Sequence, residues 1–139
     1  MPATGIWTSS PAFQRQRTEP ELRARASWRT NAVEDALESG DGVFTTGLVL
    51  QELLQGFRGP KARDNIVDRF ASLPLLIPDR TDHIGAAEVR GACRRNGIQV
   101  GTIEVLLAQL CVRHGLVMLS TDQDFTLMAP HVGLTNWKP

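Results

Sequence analysis

The chain has 139 residues, one domain's worth, and its 15 basic and 15 acidic side chains cancel to a formal net charge of zero. A 42% hydrophobic share, with no apolar window near the ~20 residues of a membrane span, excludes a spanning helix and is expected of a soluble, cytoplasmic globule. Zero net charge gives a nucleic-acid partner no support but does not exclude one, because an acidic pocket and a basic rim cancel in the sum.

A 139-residue chain buries enough surface to fold without a disulfide or a metal. Its two cysteines, Cys93 and Cys111, fall inside apolar helical patterns and read as free core thiols. Met1–Gly5 lacks the basic start and long apolar run of a secretory leader. One domain over 1–139 is expected, with 1–17 as an atypical N-terminal segment.

In chain order, Thr4–Trp7 reads as the close of a short strand, with only Met1, Pro2 and Ala3 ahead of it. Residues 8–17 are polar and aperiodic, so a loop. Thr18 and Glu21 have capping-box spacing, with Pro20 in the first turn, where its missing N–H costs nothing. Asn31 and Glu34 repeat the signal before Val33, Ala36 and Leu37, and Gly40 supplies a stop. Two helices follow from this, or one broken near Arg29–Asn31.

Val43–Thr45 is a short strand. Leu50, Leu53, Leu54 and Phe57 lie at i, i+3, i+4, i+7 and predict one apolar helix face, ended by Gly56 and Gly59-Pro60. A helix over about 61–71 carries Ala62, Ile66, Val67 and Phe70 on one side. Leu73–Pro78 is an apolar run framed by prolines, the pattern of a parallel strand covered on both faces. Residues 82–95 predict a helix whose small residues (Gly85, Ala86, Ala87, Gly91, Ala92) suit close packing; Arg94-Arg95 and Gly97 end it.

Ile103, Leu106, Leu107, Leu110, Cys111 and His114 follow the helical period from Thr102 to the stop at Gly115. Leu116–Leu119 is a strand. A helical turn near 124–129 and a last strand, Val132–Thr135, finish the chain. Strands alternating with helices indicate an α/β fold: a central parallel sheet of four or five strands flanked by helices in three layers. The ligand crevice of such a fold lies beyond the carboxyl ends of its strands.

Asp122 and Asp124 follow the Leu116–Leu119 strand closely and are delivered to that crevice by chain order. Glu52 and Glu104 sit at the edges of apolar helix faces, near helix starts that belong at the same rim. Four carboxylates in one pocket repel one another, and a divalent cation removes the conflict. Oxygen-only donors suit Mg²⁺ or Mn²⁺, which polarises a phosphoryl oxygen and activates a bound water. A plainer account stays open beside this one. Acids in a helix's first turn are favoured by the macrodipole, and Asp124 would serve equally as a cap for the turn at Phe125. His83, His114 and His131 share no ligand spacing, and Trp28 and Trp137 read as packing residues. Arg58, Lys61, Arg63, Arg90, Arg94 and Arg95 suit a phosphate backbone or a solvated surface.

Thr46–Phe57, Val100–Leu110 and Leu119–Phe125, which includes Thr121, resemble in that order the motifs of a PIN domain, and within that superfamily the VapC toxins of toxin–antitoxin pairs. The resemblance runs from about residue 43 to the end. It implies a Mg²⁺- or Mn²⁺-dependent endoribonuclease that cuts structured RNA, such as transfer RNA or a ribosomal RNA loop. It also implies a small VapB-like antitoxin as partner, and a homodimer. Glu52, Asp122 and Asp124 match the family's acids, and Glu104 stands where aspartate is usual. Ala3-Thr4-Gly5-Ile6-Trp7 matches the first-strand motif except that Ala3 replaces its metal-binding aspartate. That departure implies weakened or lost catalysis, and it keeps open a second reading: a non-catalytic module that binds an antitoxin or RNA.

Overall fold

The computed structural model describes residues 5–7, 42–56, 59–120 and 122–137. Five short strands form one sheet: β1 (Gly5–Trp7), β2 (Val43–Thr46), β3 (Leu75–Leu76), β4 (Val117–Leu119) and β5 (Thr135–Asn136). Their order is β3-β2-β1-β4-β5, and every pairing is parallel. Five helices are described: α1 (Gly47–Gly56), α2 (Pro60–Phe70), α3 (Arg80–Arg95), α4 (Thr102–His114) and α5 (Gln123–Val132). This is the α/β class expected from the alternation of periods. Strand order reverses between β1 and β4, and the carboxyl ends of those strands flank the crevice of such a sheet.

Helix α4 is the centre of the core. Val105, Leu106, Leu107 and Ala108 are buried in succession, and Leu110 and Cys111 follow them. Four consecutive buried residues span more than one helix face, so α4 is enclosed rather than laid on a surface. It packs on β1 and β4, while α1 packs on β2 and α5 on β5. Met118, Phe125 and Met128 close the core from β4 and α5. Each fully buried side chain of this size contributes about 1.5–3 kcal/mol of transfer free energy. Cys93 and Cys111 are buried thiols of the core, in no disulfide, as the sequence indicated.

Helices α3 and α4 run antiparallel and are tied at three levels. At one end, Asp82 and Asp79 form a reciprocal capping box at the start of α3. Arg113, in the last turn of α4, bonds the same Asp82 carboxylate and lies 3.2 Å from that of Asp79. In the middle, Gly85 admits the side chain of Gln109, which fills the space a Cβ would take. At the other end, the Arg90 guanidinium donates to the Thr102 hydroxyl at 3.4 Å. The small residues of α3 therefore serve close packing where Gly85 and Ala86 face α4, while Ala87 is exposed.

Four sequence expectations are corrected. The Leu73–Pro78 run is not a doubly covered strand: only Leu75–Leu76 pairs, at the sheet edge, with Leu75 45% and Ile77 85% exposed. Pro74 and Pro78 have no N–H to give a ladder, which confines such a segment to an edge. The buried face of α1 is Val49 and Leu53; Leu50 and Leu54 instead line an open groove of about 340 Å³ with Gly47, Gln51 and Gln55. The turn near 124–129 is a ten-residue helix that continues past Pro130 to an αL stop at Gly133. The last strand accordingly shifts to Thr135–Asn136. The predicted helices between Thr18 and Gly40 lie outside the described residues, as do Phe57 and Arg58.

Burial raises the Asp82 carboxyl, but hydrogen bonds from Arg113 and the Asp79 backbone, with the Arg113 charge, outweigh it and hold the group below its ordinary 3.8. A lowered carboxylate adds stability at pH above 3.8, and this is lost as pH falls through the folded-state value. Asp82→Asn is expected to lower the melting temperature at pH 7, by roughly 2 kcal/mol of stability. It should also flatten the acid limb below pH 4 in denaturation curves taken from pH 7 to pH 2. A variant with the wild-type acid limb would remove Asp82 from that role.

Candidate metal centre

The four acids singled out by sequence come from three elements around the sheet's switch point. Glu52 lies in the second turn of α1, which starts directly after β2. The Thr46 hydroxyl accepts the Val49 N–H at 3.2 Å, so a buried strand residue caps the helix that carries Glu52. Glu104 is in the first turn of α4. Asp122 follows β4 and is itself the N-cap of α5: its Oδ1 accepts the Asp124 N–H at 2.9 Å. The Asp122 N–H in turn donates to the Ser120 hydroxyl at 3.1 Å.

These positions bring acids that are distant in sequence into one electrostatic neighbourhood. Partial burial, and then the charges of Glu104 and Asp122, raise the Glu52 carboxyl above its ordinary 4.5. Partial burial, and then Asp122 and Glu104, raise Asp124 above its ordinary 3.8. Asp124 lies at a helix N-terminus, where the macrodipole favours a negative charge. Its upward shift therefore means that burial and carboxylate repulsion outweigh the dipole. The cap was expected at Asp124 and is found at Asp122, because the helix begins at Gln123.

All four side chains offer hard oxygen donors, the chemistry that suits Mg²⁺ or Mn²⁺. Among the described residues, no three acidic, histidine or cysteine side chains stand close enough together to hold one ion. Mg²⁺ ordinarily takes one or two carboxylates and keeps several waters, so a two-carboxylate hold fits this set. His83, His114 and His131, which share no ligand spacing, are exposed. Arg90 is a cation bonded to Thr102 at the start of α4, two residues before Glu104.

Ala3, Thr4 and Thr121 lie outside the described residues. The register of β1 bears on the first-strand motif all the same. Gly5, Ile6 and Trp7 pair with Val117, Met118 and Leu119, so the carboxyl end of β1 is Trp7. The sequence reading of Thr4–Trp7 as the close of a short strand agrees with this over Gly5–Trp7. Sequence reasoning also missed the Asp79–Asp82 capping box, although its i, i+3 spacing was available, and the role of Thr46.

No known protein-family profile matches the chain, and no curated protein sequence is significantly similar to it. Solved structures do match over nearly the whole chain. One is from VapBC-5 of Mycobacterium tuberculosis, a member of the VapBC family of toxin–antitoxin systems: TM-score 0.64, 16% identity, covering 99% of this chain and 100% of that one. Another is from VapBC-1 of nontypeable Haemophilus influenzae: TM-score 0.66, 11% identity, covering 97% and 96%. A third is from DNA-bound VapBC of Salmonella typhimurium: TM-score 0.62, 18% identity, covering 99% and 98%. At these identities the likeness defines the fold, which is PIN-like and VapC-like. Among the described residues, no helix is long and apolar enough to cross a membrane.

Raised carboxyls oppose folding as they ionise. The unfolded chain sheds the Glu52 proton first, so metal-free stability falls as pH rises from 4.5 through the folded-state value. Asp124 does the same from 3.8 upward. Glu52→Gln is expected to raise the metal-free melting temperature at pH 7 by a few degrees and to shrink the further rise given by 5–10 mM Mn²⁺. Scanning fluorimetry with chelator and with Mn²⁺ measures both. An unchanged Mn²⁺ response would take Glu52 out of the ion-binding set.

Proposed function

We propose that the chain is a metal-dependent endoribonuclease toxin of a toxin–antitoxin pair, with Glu52, Glu104, Asp122 and Asp124 as its site. The observation that carries the reading is electrostatic: Glu52 and Asp124 are both raised, by partial burial first and then by the charges of Glu104 and Asp122. Acids that repel one another at the carboxyl ends of a parallel sheet oppose folding unless a cation meets them. The shared VapC-like fold and the three sequence motifs support the same reading.

Within this reading, Asp122 and Glu104 would be the two carboxylates that hold the ion, with Glu52 and Asp124 beside them. A bound Mg²⁺ or Mn²⁺ supplies charge to a phosphoryl oxygen and an activated water for in-line attack. The raised Glu52 and Asp124 carboxyls hold a proton more readily than ordinary acids, which fits them to accept one from a nearby water. Arg90 at the rim meets a substrate phosphate. The substrate is structured RNA, a transfer RNA or a ribosomal RNA loop. The partner is a small VapB-like antitoxin covering the acidic pocket, and the toxin pairs as a homodimer in the cytoplasm.

Ala3 favours a second reading, a non-catalytic PIN-like module that binds an antitoxin or RNA without cutting it. An acid is expected by motif where Ala3 stands, and the four remaining acids make no three-ligand cluster among the described residues.

Total RNA incubated with Mn²⁺ and the wild-type chain, Ala3→Asp, or Ala3→Asp with Asp122→Asn separates the two. Ala3→Asp is expected to raise the cleavage rate at least tenfold, in line with the contribution of an ion-orienting group. Adding Asp122→Asn should abolish it. Absence of metal-dependent cleavage in Ala3→Asp, with a small partner co-purifying from cells, selects the non-catalytic module.

A further inference from the structure

Position 101 is occupied by glycine for a reason its backbone does not supply. Gly101 is the N-cap of α4, at φ −77° and ψ 163°, an extended conformation open to any L-residue. Serine, aspartate or asparagine caps a helix better there, through a side-chain bond that Gly101 does not make. The space decides instead. A Cβ at 101 would collide with Oε2 of Glu104 and lie 3.2 Å from its carboxyl carbon. The Glu104 carboxylate is folded back over the bare Cα of its own N-cap. From there its charge reaches both Glu52 and Asp124.

We propose that Gly101 is a positioning residue of the acidic pocket: its missing side chain is the seat of the Glu104 carboxylate. The group a Cβ displaces is the far end of a flexible side chain, so it moves cheaply and the fold tolerates the change. Serine at this position has a second effect. Its hydroxyl accepts an orphan N–H of the first turn and so caps α4 better than glycine does, while its Cβ displaces the Glu104 carboxylate from its seat. A residue that improves the helix therefore damages the site, which separates a positioning role from a structural one.

The inference rests on the acidic-pocket reading above, and its test distinguishes the two. Mn²⁺ affinity of the full chain is measured by calorimetry, and the melting temperature in chelator. The variants are Gly101→Ser, Gly101→Ala, Glu104→Asp and the Gly101→Ala/Glu104→Asp double variant. Gly101→Ser is expected to weaken Mn²⁺ binding roughly tenfold while its metal-free melting temperature holds or rises. Gly101→Ala weakens binding in the wild-type background. It has no further effect in the Glu104→Asp background, where the shorter side chain no longer reaches position 101. Wild-type affinity in both single glycine variants overturns the positioning role. A wild-type chain that binds no Mn²⁺ overturns the acidic pocket and the positioning role together.

Discussion

The placement of α4 is the constraint on which the remaining structure depends. It is the most buried helix described, it touches both strands that flank the switch point, and its first turn carries Glu104. A helix enclosed on several faces cannot slide without opening cavities, because interiors are packed at close to crystal density. Its pairing with α3 is fixed at both ends by polar contacts and in the middle by Gln109 against Gly85. Strand β4 then leaves α4 through the αL turn at Gly115 and delivers Asp122 beyond Leu119. Two of the four acids are thus placed by one helix and the strand that follows it.

Charge is distributed along this helix pair in opposite senses. Where α3 begins and α4 ends, two aspartates meet Arg113, and opposite charges hold the helix ends in register. Where α4 begins, partial burial and then the charges of Glu104 and Asp122 raise the Glu52 and Asp124 carboxyls. The first arrangement is satisfied without a ligand, apart from Asp82 Oδ1, which is buried with no partner among the described residues. Among the described residues, no salt bridge meets the second. Sites of function are where strain of this kind is tolerated, and the stable end of the hairpin anchors the unstable one. Asp122 joins the two kinds of role, since one carboxylate oxygen caps α5 while its charge acts on Glu52 and Asp124.

The fold's centre was legible in the sequence because periodicity over many residues is a strong signal. The Ile103–His114 pattern gave α4 to within a residue, and the apolar run after Gly115 gave β4. Short or contextual elements were not legible. Whether an apolar run such as Leu73–Pro78 lies inside or at an edge depends on which strands stand beside it, and local sequence is silent on that. The helical turn expected near 124–129 extends past Pro130 as α5, whose Phe125 and Met128 are packed in the core. The acids were legible as a set from motif order. Their mutual effect needed three-dimensional placement, and so did the significance of Gly101, an unremarkable helix-start glycine until the Glu104 carboxylate is seen above it.

Strand β1 sets the remaining question for the pocket. It is the middle strand of five, paired on both sides, yet only three residues long. A parallel register slip by one residue reverses which side chains face each layer, and longer slips move the strand's end relative to the crevice. With Trp7 level with Leu119, the motif position at Ala3 precedes the strand rather than following it. An aspartate at that position could join Asp122 only if β1 were drawn several residues further along its neighbours. Completion of the acidic pocket and the register of β1 are therefore one physical question: the acids already present oppose a further carboxylate, so a cation is what would favour such a shift.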